Sequence, residues 1–258
     1  MRNLHLIWLV NESSLADEDA ANLELWKQLN QDFTVKLWHL NELSDFIDTH
    51  HPWAGPAWYE IIAEYWRDGK KSHLAKLSDF ARYLLIYHTH SENQEWNCYA
   101  DIDMTPVRSI SDFIDDKMLI GENVKSTTVI PPGVTKRKID YSRVDFLVSG
   151  ENYNVRPGSR LQSTNAFILT RPGHPFWRDM AKKGIRNRKN TVLKSFGTWA
   201  LSDEMHRQKN TILAIHIPFH YWNFCPAAMQ CPPPPWCCAL HRNAISWKDD
   251  SLKHPWMA

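Results

Sequence analysis

Two carboxylates one residue apart, Asp101 and Asp103 in the stretch NCYADIDMTP, are the side chains of this sequence best suited to chemistry. They stand where an apolar run stops and a proline follows. Like charges this close repel unless a cation lies beside them, and all-oxygen ligation suits Mg²⁺ or Mn²⁺. If the pair ends an extended strand, positions i and i+2 project to the same side, so both carboxylates face one ion while Ile102 points away. A divalent ion resting there can clamp a diphosphate. The same D-x-D also fits a solvated turn that binds nothing, so the surrounding residues must decide.

Just upstream, KLSDFARYLLIY (76 to 87) lies in a helix expected over 72 to 89, with Leu74, Leu77, Ala81, Leu84, Leu85 and His88 forming an apolar stripe. Asp79 and Arg82 are three apart and off that stripe, placed to pair on the helix surface or to hold a polar ligand jointly.

The elements that must position these residues read as an α/β layer. LHLIWLV (4 to 10) is a buried strand, Leu15 to Leu29 an amphipathic helix, and FTVKLW (33 to 38) the next strand. A helix over 56 to 67 follows, and MLIGE (118 to 122), VDFLVS (144 to 149), STNAFILT (163 to 170) and TILAIHIP (211 to 218) are further strands. Helices are expected near 174 to 184 and 198 to 207. Residues 123 to 143 read as a long excursion. In an open sheet of this kind ligands bind beyond the carboxyl ends of the strands, where the acidic pair would sit.

At 258 residues the chain suits one α/β domain with a substantial core. Lys+Arg 30 against Asp+Glu 29 leaves a formal charge of +1, so no global field favours nucleic acid or an acidic membrane. Mean hydropathy of −0.48 argues against a membrane-embedded protein. MRNLHLIWLV is too short to span a bilayer, and Asn11, Glu12 and Ser13 follow it where a leader would have small residues. Four of the five cysteines crowd near the C-terminus, Cys225, Cys231, Cys237 and Cys238, without the C-x-x-C pair of a zinc site; reduced thiols in a cytoplasm fit them. Thirteen Trp residues serve either packing or stacking on sugar or base rings. The basic run KKGIRNRKN (182 to 190) has no acidic neighbour in sequence and reads as a solvated loop or as a contact for anionic lipid or a phosphate-bearing acceptor. His88 and His90 fall outside the expected cleft and read as structural or solvated.

Taken together, S-D-x-x-R-Y-x-x-L/I-Y, a short connection and Y-x-D-x-D resemble the signature of glycosyltransferase family 32, D-x-D sugar transferases related to yeast mannosyltransferases and more distantly to the clostridial glucosylating toxins. The resemblance covers nearly the whole chain. LIWLV resembles the family's first strand and makes Trp8 a base-stacking candidate. STNAFILTRPGHPF (163 to 176) places Asn165 at a strand end near sugar or acceptor. SFGTWALSDEM (195 to 205) resembles a T-G-P segment and its helix, with Thr198 where proline is usual. LHRNAISW (240 to 247) resembles the closing motif, in which His241 completes the metal shell and Ser246 and Trp247 contact and cap the nucleotide sugar. Where the family has a tight Gly-Gly turn before the D-x-D strand, this chain has HTHSENQEWN (88 to 97).

The resemblance implies a GT-A fold, a Rossmann-like layer with a mixed, mainly parallel sheet flanked by helices, over residues 1 to 258, with 219 to 258 wrapping over the donor site. It implies a retaining hexosyltransferase using Mn²⁺ or Mg²⁺ and a UDP- or GDP-hexose. Asp103 would ligate the metal and Asp101 would contact it directly or through water. Asp79 would take sugar hydroxyls, and Arg82 sugar or phosphate oxygens. The expected acceptor is a glycan or glycolipid in surface polysaccharide assembly, in the cytoplasm or at the inner face of a membrane. A toxin-like transferase acting on a host protein would share this donor site. A carbohydrate-binding module would use the Trp residues and a structural cation, and a two-metal phosphodiesterase would need more carboxylates and histidines.

Overall fold

The structure is a computed structural model that describes residues 1–10, 15–115, 144–151, 162–209, 211–212, 214–218 and 239–241. Elements follow in the order β1 (Arg2–Ile7), α1 (Asp17–Leu29), β2 (Phe33–Trp38), α2 (Leu40–His50), α3 (Gly55–Asp68), α4 (Lys71–Tyr87), β3 (Trp96–Ala100) and β4 (Met104–Pro106). Then come α5 (Ile110–Asp115), β5 (Phe146–Glu151), β6 (Gln162–Thr170), α6 (Pro175–Arg186), α7 (Val192–Ser195), α8 (Thr198–Arg207), β7 (Ala214–Pro218) and β8 (Ala239–His241). The expected strand at 118 to 122, the excursion at 123 to 143 and nearly all of 219 to 258 lie outside the described residues.

The main sheet has the order β2-β1-β3-β6-β5-β7. β1 runs parallel to β2 and β3, and β5 parallel to β7, while β6 is antiparallel to both β3 and β5. This is the expected mixed, mainly parallel sheet. Alternation along β1 sorts its side chains: Leu4 and Leu6 enter a core beneath α1 with Trp26 and Cys98, and Ile7 enters the opposite core beneath α2, α3, α4 and α6. A second sheet pairs β4 with β8, antiparallel, in the register Met104 to His241 and Pro106 to Ala239.

Helix α4 is the axis of the larger core. Leu77, Phe80, Ala81, Tyr83, Leu84, Leu85 and Ile86 are all fully buried, a wider surface than the stripe read from sequence. A helix apolar on most of its circumference must be enclosed, and α4 lies between the sheet and α3, α6 and α7. Its C-terminal end is held by Asn97 of β3, whose Nδ2 donates to the carbonyls of Ile86 at 3.0 Å and His88 at 2.7 Å. The longer connection that replaces the Gly-Gly turn therefore still closes a tight helix-to-strand junction. On the outer side, Phe196 stacks on Phe80 at 4.7 Å and lies against Gly184 of α6, where an added Cβ would fall 2.0 Å from the Phe196 ring. Only glycine admits that approach.

His88 and His90 are structural, as expected, but in unusual company. Ring centroids of His50 and His88 are 4.4 Å apart, of His88 and His90 4.7 Å, of His90 and His5 4.7 Å, and of His51 and His88 5.5 Å, gathered around Phe46. Trp38 Nε1 donates to His5 Nδ1 at 3.1 Å, which fixes one face of the cluster. Burial, reinforced by neighbouring imidazoles and Lys36, lowers His5 to about 3; burial and neighbouring imidazoles lower His51 and His88 to about 4. Burial also lowers His90. The charged groups acting on these rings are cationic, and hydrogen bonds with Asn97, Leu84 and Leu85 oppose the lowering only in part.

Imidazoles whose folded pKa lies below the unfolded value contribute stability that is complete above about 6.5 and is lost as pH falls toward 4. We expect the melting temperature to fall by more than about 5 °C between pH 7 and pH 5, and His51→Phe with His88→Phe to flatten that slope, read by differential scanning fluorimetry across pH.

Candidate active site

The site forms where the carboxyl end of β3 meets the middle of α4 and the first half of β6. Because β6 runs antiparallel to β3 in the register Ala100 to Phe167, the residues following Ala100 lie beside Ala166 and Asn165, and the Asp101 amide donates to the Ala166 carbonyl at 2.8 Å. Sheet topology thus joins parts of the chain that sequence separates by more than sixty positions.

Asp79 and Arg82 do pair, Arg82 Nη2 lying 2.8 Å from Asp79 Oδ1. They are buried rather than on an exposed helix surface, Asp79 at 7% exposure and Arg82 at 4%. The same Nη2 lies 3.2 Å from Asp101 Oδ1, so one guanidinium bridges a carboxylate of α4 and one beyond β3. Arg82 Nη1 donates to the Asn165 carbonyl, and Asn165 Nδ2 donates to Asp79 Oδ1 at 2.9 Å. Asp79, Arg82, Asp101 and Asn165, four of the residues singled out in the sequence, are therefore one hydrogen-bonded unit.

The acidic pair differs from the expected geometry. β3 stops at Ala100, and the Met104 amide donates to the Asp101 carbonyl at 3.1 Å, closing a turn over Asp101 to Met104. The rule that i and i+2 share a face of a strand does not apply here. Ile102 turns into the core beneath α1, and the half-buried Asp101 and Asp103 flank it at the surface of the turn. The turn feeds β4, whose pairing with β8 sets the backbone of His241 opposite Met104, next to Asp103. The side chain of His241 and the whole of Ser246 and Trp247 lie outside the described residues. Trp8 is half-buried just past β1, its amide donating to the Trp38 carbonyl at 2.9 Å.

Sequence reading assigned no role to two further residues at the site. Tyr99 donates to Asp101 Oδ1 at 2.7 Å, and the Arg82 guanidinium carbon sits 4.3 Å from its ring centroid. Its signal was the strand period, two residues before Asp101. Gly197, at the α7–α8 corner, brings backbone against Asp79: a Cβ there would lie 3.3 Å from Asp79 Oδ2 and 2.9 Å from Leu193 Cα.

Burial raises Asp79 to about 6, and the Asp101 charge adds to that rise against the opposing pull of Arg82 and Asn165. Burial alone would lower Arg82, but Asp101, Tyr99 and Asp79 outweigh it and hold the guanidinium above its ordinary value. Asp79 and Asp101 both pair with the Arg82 guanidinium, and Asp103 adds a third carboxylate on the same turn. Arg82 Nε is buried without a hydrogen-bond acceptor among the described residues. No cluster of three or more metal-ligating side chains occurs among the described residues. Mg²⁺-type ions are held by one or two carboxylates plus substrate phosphates rather than by an all-protein cage, so Asp101 and Asp103 fit such an ion on donor chemistry and charge.

No protein-family model and no curated protein matches the sequence. Among solved structures, the chain is similar to the PaToxG glycosyltransferase, with a TM-score of 0.51 and 14% identity over 80% of this chain and 69% of that one. It is also similar to the UDP-bound glycosyltransferase domain from the YGT toxin, with a TM-score of 0.52 and 11% identity over 83% of this chain and 79% of that one. The chain has a glycosyltransferase fold. The ligand-free form of the YGT toxin domain gives the same relation, with a TM-score of 0.51 and 10% identity. These likenesses agree with the GT-A-type fold implied by the motifs, while membership of family 32 rests on the motifs alone.

Removing Arg82 leaves the buried Asp79 carboxylate without the cation it pairs with. Arg82→Ala should therefore lower the melting temperature by more than about 5 °C, whereas Asp103→Ala, at a half-exposed turn, should change it by less than about 2 °C, both read by calorimetry.

Proposed function

We propose that this protein is a metal-dependent glycosyltransferase that moves a hexose from a nucleoside diphosphate sugar to an acceptor hydroxyl. The observation that carries the reading is the buried Arg82 bridge between Asp79 and Asp101 at the carboxyl edge of the sheet, beside a second carboxylate, Asp103. Carboxylates at the diphosphate end of a donor suit a divalent cation between protein and phosphate, so the donor chemistry of Asp101 and Asp103 supports metal-assisted binding. The UDP named with one similar structure supports a nucleotide-sugar donor.

In this reading Asp101 and Asp103 hold Mn²⁺ or Mg²⁺, with His241 as a third ligand, and the ion when bound supplies positive charge to the departing diphosphate. Arg82, kept cationic by its two carboxylates, presents its unsatisfied Nε to a sugar or phosphate oxygen of the donor. Asp79 accepts from sugar hydroxyls and needs its charge to do so. Tyr99 and Asn165 hold these groups in place. Trp8 stacks on the base, and Ser246 and Trp247 cover the donor within a C-terminal segment that folds over it. No described side chain at the site is placed as a covalent nucleophile. Retention, which the family resemblance implies, would come from attack on the leaving-group face with the departing phosphate as base.

For the acceptor, a glycan or glycolipid of surface polysaccharide assembly is one reading. The likeness to glycosyltransferase domains of toxins favours a second, a protein acceptor at the same donor site.

Incubated with Mn²⁺ and a panel of UDP- and GDP-hexoses, the protein should release nucleoside diphosphate slowly from one donor. EDTA should stop the release, and Asp103→Ala should slow it by at least about 100-fold with the fold intact. The rate should fall below about pH 6 as Asp79 takes up a proton. Full activity in Asp103→Ala or in EDTA would remove the metal assignment, and binding of sugar with no release from any donor would leave a carbohydrate-binding protein.

A further inference from the structure

The basic run 182 to 190 does not behave as one unit. Arg188 Nε lies 2.6 Å from Glu60 Oε2, and Lys189 reaches Glu60 at 2.5 Å and Glu64 at 2.7 Å, so these two cations clamp the end of α6 to α3. The carboxylates absent from the local sequence come from a helix more than a hundred residues earlier. Lys182 and Arg186, one turn apart on α6, stay exposed. They edge a cleft of about 550 Å³ lined also by Lys183, Arg207, Asp179 and Glu204. Glu204 is buried against Lys183 at 3.3 Å and against Arg207 and Gln208, and Asp179 lies 3.4 Å from Arg178, so the carboxylates of the cleft already face cations.

The clamped helix presents an unusual outer face. Its buried side is Ala57, Trp58 and Ile61, and its exposed side is Pro56, Tyr59, Ala63 and Trp66, at spacings of three, four and three, continued backward by Pro52 and Trp53. Trp66 is 73% exposed, Tyr59 45% and Trp53 39%. An uninterrupted apolar and aromatic stripe on the solvent side of a helix is the reverse of the ordinary pattern. Lys182 Nζ sits 5.3 Å from the Trp53 ring centroid, which makes stripe and basic cleft one continuous surface. Arg67, Lys70 and Lys71 are exposed at the far end of the stripe, Lys70 beside Asp68 at 3.2 Å. On the α2 side the surface is bounded by exposed Asp45 and by Asp48, which accepts from the Tyr59 hydroxyl at 2.6 Å.

We propose that this α3–α6 face docks on a membrane leaflet carrying anionic lipid headgroups. Trp and Tyr rings, apolar in body and polar at the tip, settle at headgroup depth, and a cleft edged by lysine and arginine accepts headgroup phosphate and carboxylate. Charge chooses the occupant: exposed cations lie at the cleft and at the end of the stripe, where Asp68, Asp179 and Glu204 are each paired with a cation, and the other acidic groups, Asp45 and Asp48, lie on the α2 border. No residue of the face belongs to the candidate active site, so the surface stands apart from the reaction proposed above.

The test is co-sedimentation of the full chain with phosphatidylcholine vesicles with and without phosphatidylserine, at low and raised salt. Wild type should pellet only with phosphatidylserine, and salt should release it. Lys182→Glu with Arg186→Glu, and separately Trp53→Ala with Trp66→Ala, should each weaken binding at least about tenfold while melting temperature and donor hydrolysis stay as in wild type. Absence of phosphatidylserine-dependent pelleting would overturn the proposal, as would pelleting that survives both double variants, or a stripe-dependent dimer in lipid-free gel filtration.

Discussion

The structure of the site depends on one guanidinium shared by two carboxylates inside the protein. Arg82 is 4% exposed, and its charge would be intolerable there without Asp79 and Asp101. Each partner comes from a different layer, Asp79 from the helix and Asp101 from beyond the strand, so the ion network also ties α4 to β3. Asn165 links the network to β6 through both its carbonyl and its amide. Desolvation costs on this scale are usually retained for a reason other than stability, because apolar residues of equal volume would pack as well.

Packing explains how such a network can persist. α4 is buried around most of its surface, which excludes water from Asp79 and raises its pKa, and Gly184 and Gly197 let Phe196 and the α7–α8 corner close against it. The opposite end of α4 is dressed differently: Asn97 satisfies its last carbonyls, and four imidazoles crowd around Phe46 with His5 against His90 behind them. One helix thus carries a charged network in its middle and a pH-sensitive histidine cluster near its end.

Much of the framework was legible in the sequence. β2 was read to the residue, and α1, α3, α6, α8 and β6 to within a few positions, since apolar period and turn residues are local properties. α2 was not among the elements read, although Leu43, Phe46 and Ile47 carry a helical spacing and Glu42 caps it, its Oε2 accepting from the His39 amide at 3.1 Å. The members of the site were legible as well, because Asp79, Arg82, Asp101 and Asn165 stand in recognisable motifs. Their relations were not: the turn at Asp101 arises because Ile102 enters the core and β4 must reach β8, contacts no local pattern encodes.

By itself, then, the sequence determined an α/β layer, an acidic pair after a central strand, and an aspartate and arginine three apart on the preceding helix. Only the tertiary structure decided that this helix is enclosed, that Arg82 serves two carboxylates at once, and that two of the five cations of a basic run are neutralised by α3. The physical reason is the same in each case. Helical and strand periods follow from neighbouring residues, but burial and charge pairing depend on which distant surfaces meet, and here the antiparallel β6 and the clamp of α6 on α3 decide which do.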